Sequence, residues 1–282
     1  MNELPRDRQE TVMIEIRDLH KRFNAGTGNE CYALCGINLH IRPGEFVTVI
    51  GTNGSGKSTL LNAVAGTFSP DQGLIRIDGN DVTLRKEHER AHHIARVFQN
   101  PFTGTAAQMT IAENLHMAYL RDKKCFPRLG LTASRMAVYR QEASLLEMKL
   151  EDRLSSQIGS LSGGQRQALT LLMAVLTRPK VLLLDEHTAA LDPKSAALVI
   201  GLTRRFIERD KLTALMVTHS MQQALELGDR TIMMHKGSVI DDIPGAEKRR
   251  LTVHDLLDKF NELRKSEQLT EELLSSLRQE YV

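Results

Sequence analysis

Residues 47–66 read VTVIGTNGSGKSTLLNAVAG, and this stretch decides the fold class. An apolar, β-branched run leads into it and predicts a strand, and the residues that follow predict a helix. Between them, Gly51, Gly56, Lys57 and Ser58 match the G-x-x-x-x-G-K-[ST] phosphate-binding pattern. We therefore predict a phosphate loop in which Lys57 reaches the β- and γ-phosphates and the Ser58 hydroxyl binds Mg²⁺. The other loop residues assigned to nucleotide binding are Asn53, Gly54, Ser55 and Thr59.

A second apolar strand, VLLLD (181–185), runs into two adjacent carboxylates, Asp185 and Glu186. One interpretation is a solvated strand end. The alternative follows from the phosphate loop, because the carboxyl ends of parallel strands meet at the ligand-binding edge of a sheet. Asp185 is then the carboxylate on the metal side, and Glu186 faces the γ-phosphate, where it orients or deprotonates a water molecule.

The rest of the chain divides by its pattern. The first hundred residues are mainly β in character, with short β-branched runs at 12–16, 37–41, 46–50 and 74–79. Residues 106–157 show helical periodicity instead, and after them helices alternate with apolar strands up to a hairpin turning at Lys236-Gly237. Apolar strands alternating with helices predict a parallel sheet that is covered on both faces.

LSGGQ (161–165) begins a predicted helix. Taken alone, Ser162, Gly163 and Gly164 are explained better as a helix cap than as a second anion site formed by exposed N–H groups. The whole motif, however, stands between a phosphate loop and a strand that ends in Asp-Glu. In these features the chain resembles the ATPase subunit of an ATP-binding cassette (ABC) transporter.

The resemblance assigns further roles. Phe23 is implied to stack on adenine, with Tyr32 as the alternative; Gln99, in RVFQNP, contacts Mg²⁺ and the attacking water. Asp192, in AALD, lies at the interface of two cassettes, and His219 contacts the γ-phosphate. The signature residues implied to act on the nucleotide of a second cassette are Ser162, Gly163, Gly164 and Gln165.

Two residues depart from the family pattern. His187 and Thr52 both stand where many members have proline. Neither proline carries a catalytic role in the family, so we assign none to His187 and expect activity to be intact.

The implied fold is α/β: a P-loop NTPase (RecA-like) core with an antiparallel β subdomain and an inserted α-helical subdomain. We place the β subdomain and the first part of the core in residues 1–98, and the helical subdomain in 99–160. The second part of the core is 161–242, and 243–282 is a helical C-terminal extension, which packs on the core or serves as a dimerising or regulatory element.

Composition fits a soluble protein. Hydrophobic residues make up 41% and charged residues 26%, and the net charge of +2 gives no argument for nucleic acid. The polar start predicts no signal peptide, no apolar run is long enough for a membrane span, and three cysteines indicate a reducing compartment. We expect a cytoplasmic protein, peripheral on the inner face of the cell membrane.

The function implied by the resemblance is hydrolysis of ATP, with Mg²⁺, to drive uptake of a small solute through a separate permease. An amino-acid-like compound is the candidate solute. The implied partners are a second ATPase subunit forming a homodimer, the integral-membrane permease and an extracytoplasmic solute-binding protein, with no nucleic acid. The alternatives are the ATPase of an exporter and a soluble ABC ATPase that acts on nucleic acid.

Overall fold

The computed structural model describes residues 12–121, 123 and 130–262. The strands are β1 (Ile14–Phe23), β2 (Cys31–Ile41), β3 (Phe46–Gly51), β4 (Gln72–Ile77), β5 (Asn80–Asp81), β6 (Ile94–Val97), β7 (Val181–Asp185), β8 (Thr213–Val217), β9 (Arg230–His235) and β10 (Ser238–Pro244). The α-helices are α1 (Lys57–Ala65), α2 (Glu87–Arg90), α3 (Ile111–Leu120), α4 (Ala133–Ser144), α5 (Gly163–Val175), α6 (Pro193–Asp210), α7 (Met221–Glu226) and α8 (Gly245–Lys248). Two short 3₁₀ helices are Glu151–Arg153 and Ile158–Ser160.

A six-stranded sheet forms the centre of the molecule, in the order β10-β9-β3-β8-β7-β6. The five strands from β9 to β6 are parallel, and β10 returns antiparallel along β9. Strands β7 and β8 are buried almost throughout, as expected of a parallel sheet with helices on both faces. Their carboxyl ends therefore meet at one edge, directly before Glu186 and Thr218.

One face of this sheet packs on α1, and a second sheet covers α1 from the other side. That second sheet is antiparallel, in the order β2-β1-β4-β5. Leu60, Leu61 and Val64 of α1 share a buried cluster with Ile16 of β1 and Leu183 of β7. The helix that follows the phosphate loop is thus held between two sheets, which fixes the loop itself.

Helices cover the opposite face of the parallel sheet. The core there combines residues of α5 and α6 with Leu115 of α3 and Tyr139 of α4, both fully buried. The segment between β6 and α5 therefore packs through apolar side chains onto the signature helix α5.

Some predicted elements need correction. Strands β1 and β2 are longer than the predicted runs at 12–16 and 37–41, and β6 was not predicted because four residues at a sheet edge carry little pattern. The helix suggested by the periodicity of 135–150 ends at Ser144, since Glu147 and Lys149 both adopt φ of 56°. The hairpin at Lys236-Gly237 is confirmed, with positive φ at both turn residues.

The described chain ends in helical residues 253–262. Leu256 and Phe260 pack with Ile50 and Met233, so this helix lies against the strand that leads into the phosphate loop. The further leucines predicted to form a helical face, Leu263, Leu269, Leu273 and Leu277, lie outside the described residues. Within the described part of the chain, no helix has both the length and the apolar character to cross a membrane.

Candidate active site

The phosphate loop turns sharply from β3 into α1. Gly56 is the N-cap of α1 and has φ of 96°, a conformation that side chains rarely tolerate. A Cβ at this position would lie 2.4 Å from the carbonyl oxygen of Ala33, so only glycine fits. The Ser55 hydroxyl is buried and has no hydrogen-bond partner among the described residues. The loop thus presents a helix N-terminus and an unused polar group, which suits an anionic ligand.

Lys57 is folded into this loop and is only 5% exposed. Its Nζ donates to the carbonyl oxygens of Gly51 at 2.9 Å and Thr52 at 3.0 Å. Burial lowers the pKa of Lys57, and the negative charges of Glu186 and Asp185 act in the opposite direction. An ammonium group therefore stands between the loop backbone and the two carboxylates of the β7 end.

Asp185 joins three elements. One of its oxygens, Oδ1, accepts a hydrogen bond from Ser58 Oγ at 3.2 Å, and Oδ2 lies 2.9 Å from Arg96 Nη2. A hydroxyl and a carboxylate oxygen are the hard donors that Mg²⁺ prefers, so this pair fits that ion. Gln99 is the second residue after β6 and is exposed. It has no hydrogen bond to Ser58, Asp185 or Arg96 in the described part of the chain.

Glu186 and His219 form the second pair at this edge. His219 Nε2 lies 2.5 Å from Glu186 Oε1, across the gap between the ends of β7 and β8. Glu186 has a left-handed φ of 46°, held by its N–H, which donates to the Val217 carbonyl at 3.0 Å. A carboxylate that contacts an imidazole is an arrangement able to accept and pass on a proton.

His187, which stands where many family members have proline, is directed towards α6. Its side chain is buried, and Nε2 lies 3.0 Å from Thr203 Oγ1 of α6. Thr203 Oγ1 donates to the Val199 carbonyl, so His187 must donate to it and carries its proton on Nε2. Burial lowers the pKa of His187 to about 4. The residue therefore ties the chain after Glu186 to α6 as a neutral side chain.

This burial predicts a pH dependence of stability. The pKa of His187 falls from 6.5 to about 4 on folding, so the unfolded chain binds the proton more tightly and acid favours unfolding. The contribution of neutral His187 to the free energy of unfolding is fully present above the unfolded pKa of 6.5, and it is lost as the pH falls towards the folded pKa of about 4. From about pH 7.5 to about pH 5 the contribution is roughly 2 kcal/mol.

Urea unfolding of wild type and His187→Gln at those two pH values measures the effect. Glutamine can still donate to Thr203 but does not titrate, so its free energy of unfolding should fall less. His254→Gln is the control, since that side chain is 83% exposed. Equal pH dependence in wild type and His187→Gln would contradict the prediction.

The signature residues form a separate cluster at the start of α5. Ser162 Oγ accepts from the Gln165 N–H at 3.3 Å, and Gln165 Oε1 accepts from the Ser162 N–H at 3.2 Å, a capping box. Gly164 is required for packing, because a Cβ at this position would lie 2.5 Å from Ser195 Oγ in α6. The N–H of Ser195 in turn donates to Asp192 at 3.1 Å, which caps α6. Ser162 therefore caps α5, and the close packing of α5 on α6 requires a small residue at position 164.

Phe23 and Tyr32 lie at the paired ends of β1 and β2. The Phe23 ring is half-buried and packs edge-on against Phe68, with centroids 5.3 Å apart, and Lys21 Nζ lies 5.5 Å from its centroid. Tyr32 is 63% exposed. The Arg22 guanidinium carbon lies 5.7 Å from the centroid of the Tyr32 ring, so both rings have a neighbour and Phe23 is the more buried of the two.

The structure thus brings part of the predicted site together and leaves part apart. Lys57, Ser58, Asp185, Glu186 and His219 share the carboxyl edge of the sheet, around the loop that contains Gly51, Asn53, Gly54, Ser55, Gly56 and Thr59. Among the described residues, Ser162, Gly163, Gly164, Gln165 and Asp192 are linked through α5 and α6 instead. Sequence reasoning missed Arg96 and its partner Asn62; the available signal was a charged residue inside the short apolar strand before Gln99.

Comparison with known proteins resolves the family. The family model described as ABC transporter matches residues 34–189, from β2 to the segment after Glu186. The chain belongs to the ABC transporter family. It is 43% identical over 251 residues to the tyrosine transport ATP-binding protein of Clostridioides difficile, covering 88% of this chain and 98% of that protein. It is 38% identical over 233 residues to the sulfate/thiosulfate import ATP-binding protein CysA of Pseudomonas aeruginosa, covering 82% and 66% respectively.

Solved ABC cassettes have the same fold. A dimeric, post-hydrolysis structure of the ATP-binding cassette MJ0796 with ADP and Pi matches with a TM-score of 0.70 and 28% identity, covering 83% of this chain and 99% of that one. The ADP conformation of the cassette MJ1267 matches with a TM-score of 0.70 and 25% identity, covering 85% and 94%. The resemblance read from the motifs is therefore confirmed: this ABC chain is an ATP-binding ATPase subunit with the α/β P-loop NTPase fold.

Proposed function

We propose that this ABC ATPase hydrolyses Mg²⁺-ATP to drive uptake of a small solute, of the amino-acid class, through a separate permease. The observation that carries the catalytic part is the edge of the parallel sheet, where Lys57, Ser58 and Asp185 meet the Glu186–His219 pair. Each chemical requirement of ATP hydrolysis has a residue of the right type at this edge.

In this proposal the phosphate loop binds the triphosphate. The N–H groups at the start of α1 face the β-phosphate, and Lys57 exchanges its two loop carbonyls for β- and γ-phosphate oxygens. The Phe23 ring, already held by Phe68, stacks on adenine. Mg²⁺, when bound, neutralises charge on the phosphates, and its protein donors are Ser58, Asp185 and Gln99.

Hydrolysis then depends on Glu186 and His219. Glu186 accepts a proton from the water that attacks the γ-phosphate, and the hydrogen bond from its N–H to the Val217 carbonyl holds the residue at the sheet edge. The imidazole of His219 lies against that carboxylate and orients it, and reaches the γ-phosphate when the site is filled. Gln99, exposed one residue beyond Phe98, positions the water from the other side.

A second copy of the chain completes the site. The N-terminus of the 13-residue helix α5 lies outside the phosphate-loop cluster, and its first N–H groups suit the γ-phosphate of a nucleotide held by a partner subunit. Ser162, Gly163, Gly164 and Gln165 then act in trans, with Asp192 at the interface. ATP bound between two such faces joins the subunits, and hydrolysis releases them.

The permease docks in a groove next to Gln99. This groove, a cavity of about 490 Å³, has apolar walls that include Phe98 after β6, Met117 and Ala118 of α3, and Met173 of α5. Three charged residues also line it, Glu87, Arg96 and Arg121. An apolar groove of this kind accepts an amphipathic helix. Because Phe98 in its wall directly precedes Gln99 in the chain, movement at the γ-phosphate reaches the docked helix. We propose, as the sequence predicts, that the helical subdomain is residues 99–160, between core parts ending at 98 and beginning at 161.

The direction and the solute rest on the relatives. One relative is named a tyrosine transport ATP-binding protein, and the other is named a sulfate/thiosulfate import ATP-binding protein. The match to the first relative covers 98% of that protein. Uptake of this type implies a permease, an extracytoplasmic solute-binding protein and a position on the cytoplasmic face of the membrane, with residues 243–282 as a C-terminal extension. An exporter and an ATPase acting on nucleic acid are the competing functions.

A charge in the groove tests this proposal. Met117 is 42% exposed there, and Met117→Arg places a third arginine in the docking surface, beside Arg96 and Arg121. We expect uptake of labelled amino acid by cells to fall about tenfold or more, because such a buried charge costs upwards of 1.4 kcal/mol. The ATPase rate of the isolated chain should be retained. Leu84→Arg is the matched control, since Leu84 is 78% exposed outside the groove.

The competing functions give different results in strains that lack the chain or its permease. Loss of uptake in both strains supports import. Normal uptake with slower efflux would show an exporter, and association with ribosomes or DNA in place of membranes would show a nucleic-acid function.

A further inference from the structure

Arg96 belongs to none of the sequence motifs, but its side chain contacts Asp185 at the catalytic edge. Its Nη2 lies 2.9 Å from Asp185 Oδ2, and its Nη1 donates to Asn62 Oδ1 at 2.6 Å. The guanidinium carbon stands 4.6 Å from the centroid of the Phe98 ring. The side chains of Arg96 and Asp185 are 11% and 14% exposed, so the pair is largely withdrawn from solvent.

These contacts come from three elements of the fold. Asn62 lies in α1, behind the phosphate loop, Asp185 ends β7, and Phe98 follows β6 directly before Gln99. Strands β6 and β7 pair in parallel with Arg96 opposite Leu183, so the Arg96 backbone lies two residues before Asp185 and its side chain extends to that carboxylate. A planar fork held at both ends and stacked on a ring has little freedom to move.

The two oxygens of Asp185 are therefore divided. Arg96 takes Oδ2, and Oδ1 is left facing the Ser58 hydroxyl. We propose that Arg96 is a positioning residue for Asp185, which fixes the carboxylate so that Oδ1 is presented to the metal beside Ser58. This inference rests on the proposed Mg²⁺ site, since the position of Oδ1 matters only if a metal is bound there.

Charge alone predicts the opposite effect. A guanidinium beside Asp185 repels a divalent cation, so removing it by Coulomb's law alone would strengthen Mg²⁺ binding. Loss of a group that orients a metal-side carboxylate instead weakens it, by about 10–100-fold in comparable sites. The sign of the change thus separates positioning from a plain counter-ion.

The experiment measures ATP binding by titration in EDTA and at increasing Mg²⁺, which gives the Mg²⁺ affinity of the nucleotide-bound chain without relying on turnover. For Arg96→Gln we expect ATP affinity in EDTA close to wild type and Mg²⁺ affinity lower by about 10–100-fold. Arg96→Lys keeps the charge but cannot bridge Asn62 and Asp185, so it should show the same loss. Arg17→Gln, at an exposed surface ion pair, is the control.

Asn62→Ala keeps the arginine and removes one end of its anchor, so it tests the proposal even if Arg96→Gln folds poorly. It should weaken Mg²⁺ binding in the same direction but by less. Unchanged or tighter Mg²⁺ binding in Arg96→Gln, or full recovery in Arg96→Lys, would overturn the positioning role. If Mg²⁺ has no effect on ATP affinity in wild type, the magnesium assignment fails and the proposal fails with it, whereas ATP binding in EDTA tests the phosphate loop separately.

Discussion

Lys57→Ala is expected to weaken ATP binding by about 10²-fold or more, because two charge-assisted hydrogen bonds of about 1.5–3 kcal/mol each are lost. In the structure this ammonium group is nearly buried and bonded to two loop carbonyls. It is therefore already inside the cradle that receives the phosphates. Equilibrium titration with Mg²⁺-ATP measures the loss.

The control for this variant is Lys180→Ala, which removes an exposed lysine at the opposite end of β7 that pairs with Asp78. It should bind ATP as wild type does. Circular dichroism of both variants checks the fold, since Lys57→Ala removes the donor to the Gly51 and Thr52 carbonyl oxygens. ATP binding of wild-type strength in a folded Lys57→Ala protein would refute the phosphate-loop assignment.

Glu186→Gln is expected to keep ATP affinity while the hydrolysis rate falls by about 10²–10⁴-fold, the usual contribution of a general base. An amide keeps the shape of the side chain and can still contact His219, but it cannot accept the proton from water. Because ATP is then bound without being cleaved, the variant should accumulate as an ATP-bound dimer. Phosphate release and size-exclusion chromatography with ATP measure the two effects.

Glu208→Gln is the matched control, since Glu208 is exposed near the C-terminal end of α6, 22 residues after Glu186. It should hydrolyse ATP at the wild-type rate and remain monomeric after ATP is consumed. Hydrolysis by Glu186→Gln at the wild-type rate would mean that this carboxylate is a solvated strand end, the alternative that its sequence leaves open.

Much of the fold followed from pattern alone. The apolar strand before Gly51 and the helix after Lys57 predicted the sheet, the helix packed on it and the edge where ligands bind. The same rule placed Asp185 and Glu186 at that edge, where the structure has them. Edge strand β6 and the helix end at Ser144 were missed or misjudged, because four residues carry little periodicity and positive φ at Glu147 and Lys149 has no clear signature in sequence.

For single side chains, the sequence named the residues, and the structure showed which partners they contact. The sequence named Glu186 and His219, but only the pairing of β7 with β8 brings His219 Nε2 within 2.5 Å of that carboxylate. It also offered a helix cap or an anion site for LSGGQ without showing that Gly164 must be small to admit Ser195 of α6. His187 looked like a neutral substitution for proline, and the fold gives it Thr203 as a buried partner.

The sequence by itself determined the phosphate loop, the alternation of helices with apolar strands after residue 160, and the residue types at the catalytic edge. These depend on backbone preferences and periodicity within a few residues, which the chain carries locally. Only the tertiary structure decided that Arg96 divides the oxygens of Asp185 between itself and Ser58. That contact joins positions 62, 96 and 185, and it exists because β6 and β7 pair in one register with α1 packed behind them. A one-residue change of register would turn Arg96 to the other face of the sheet, and no local pattern specifies that register.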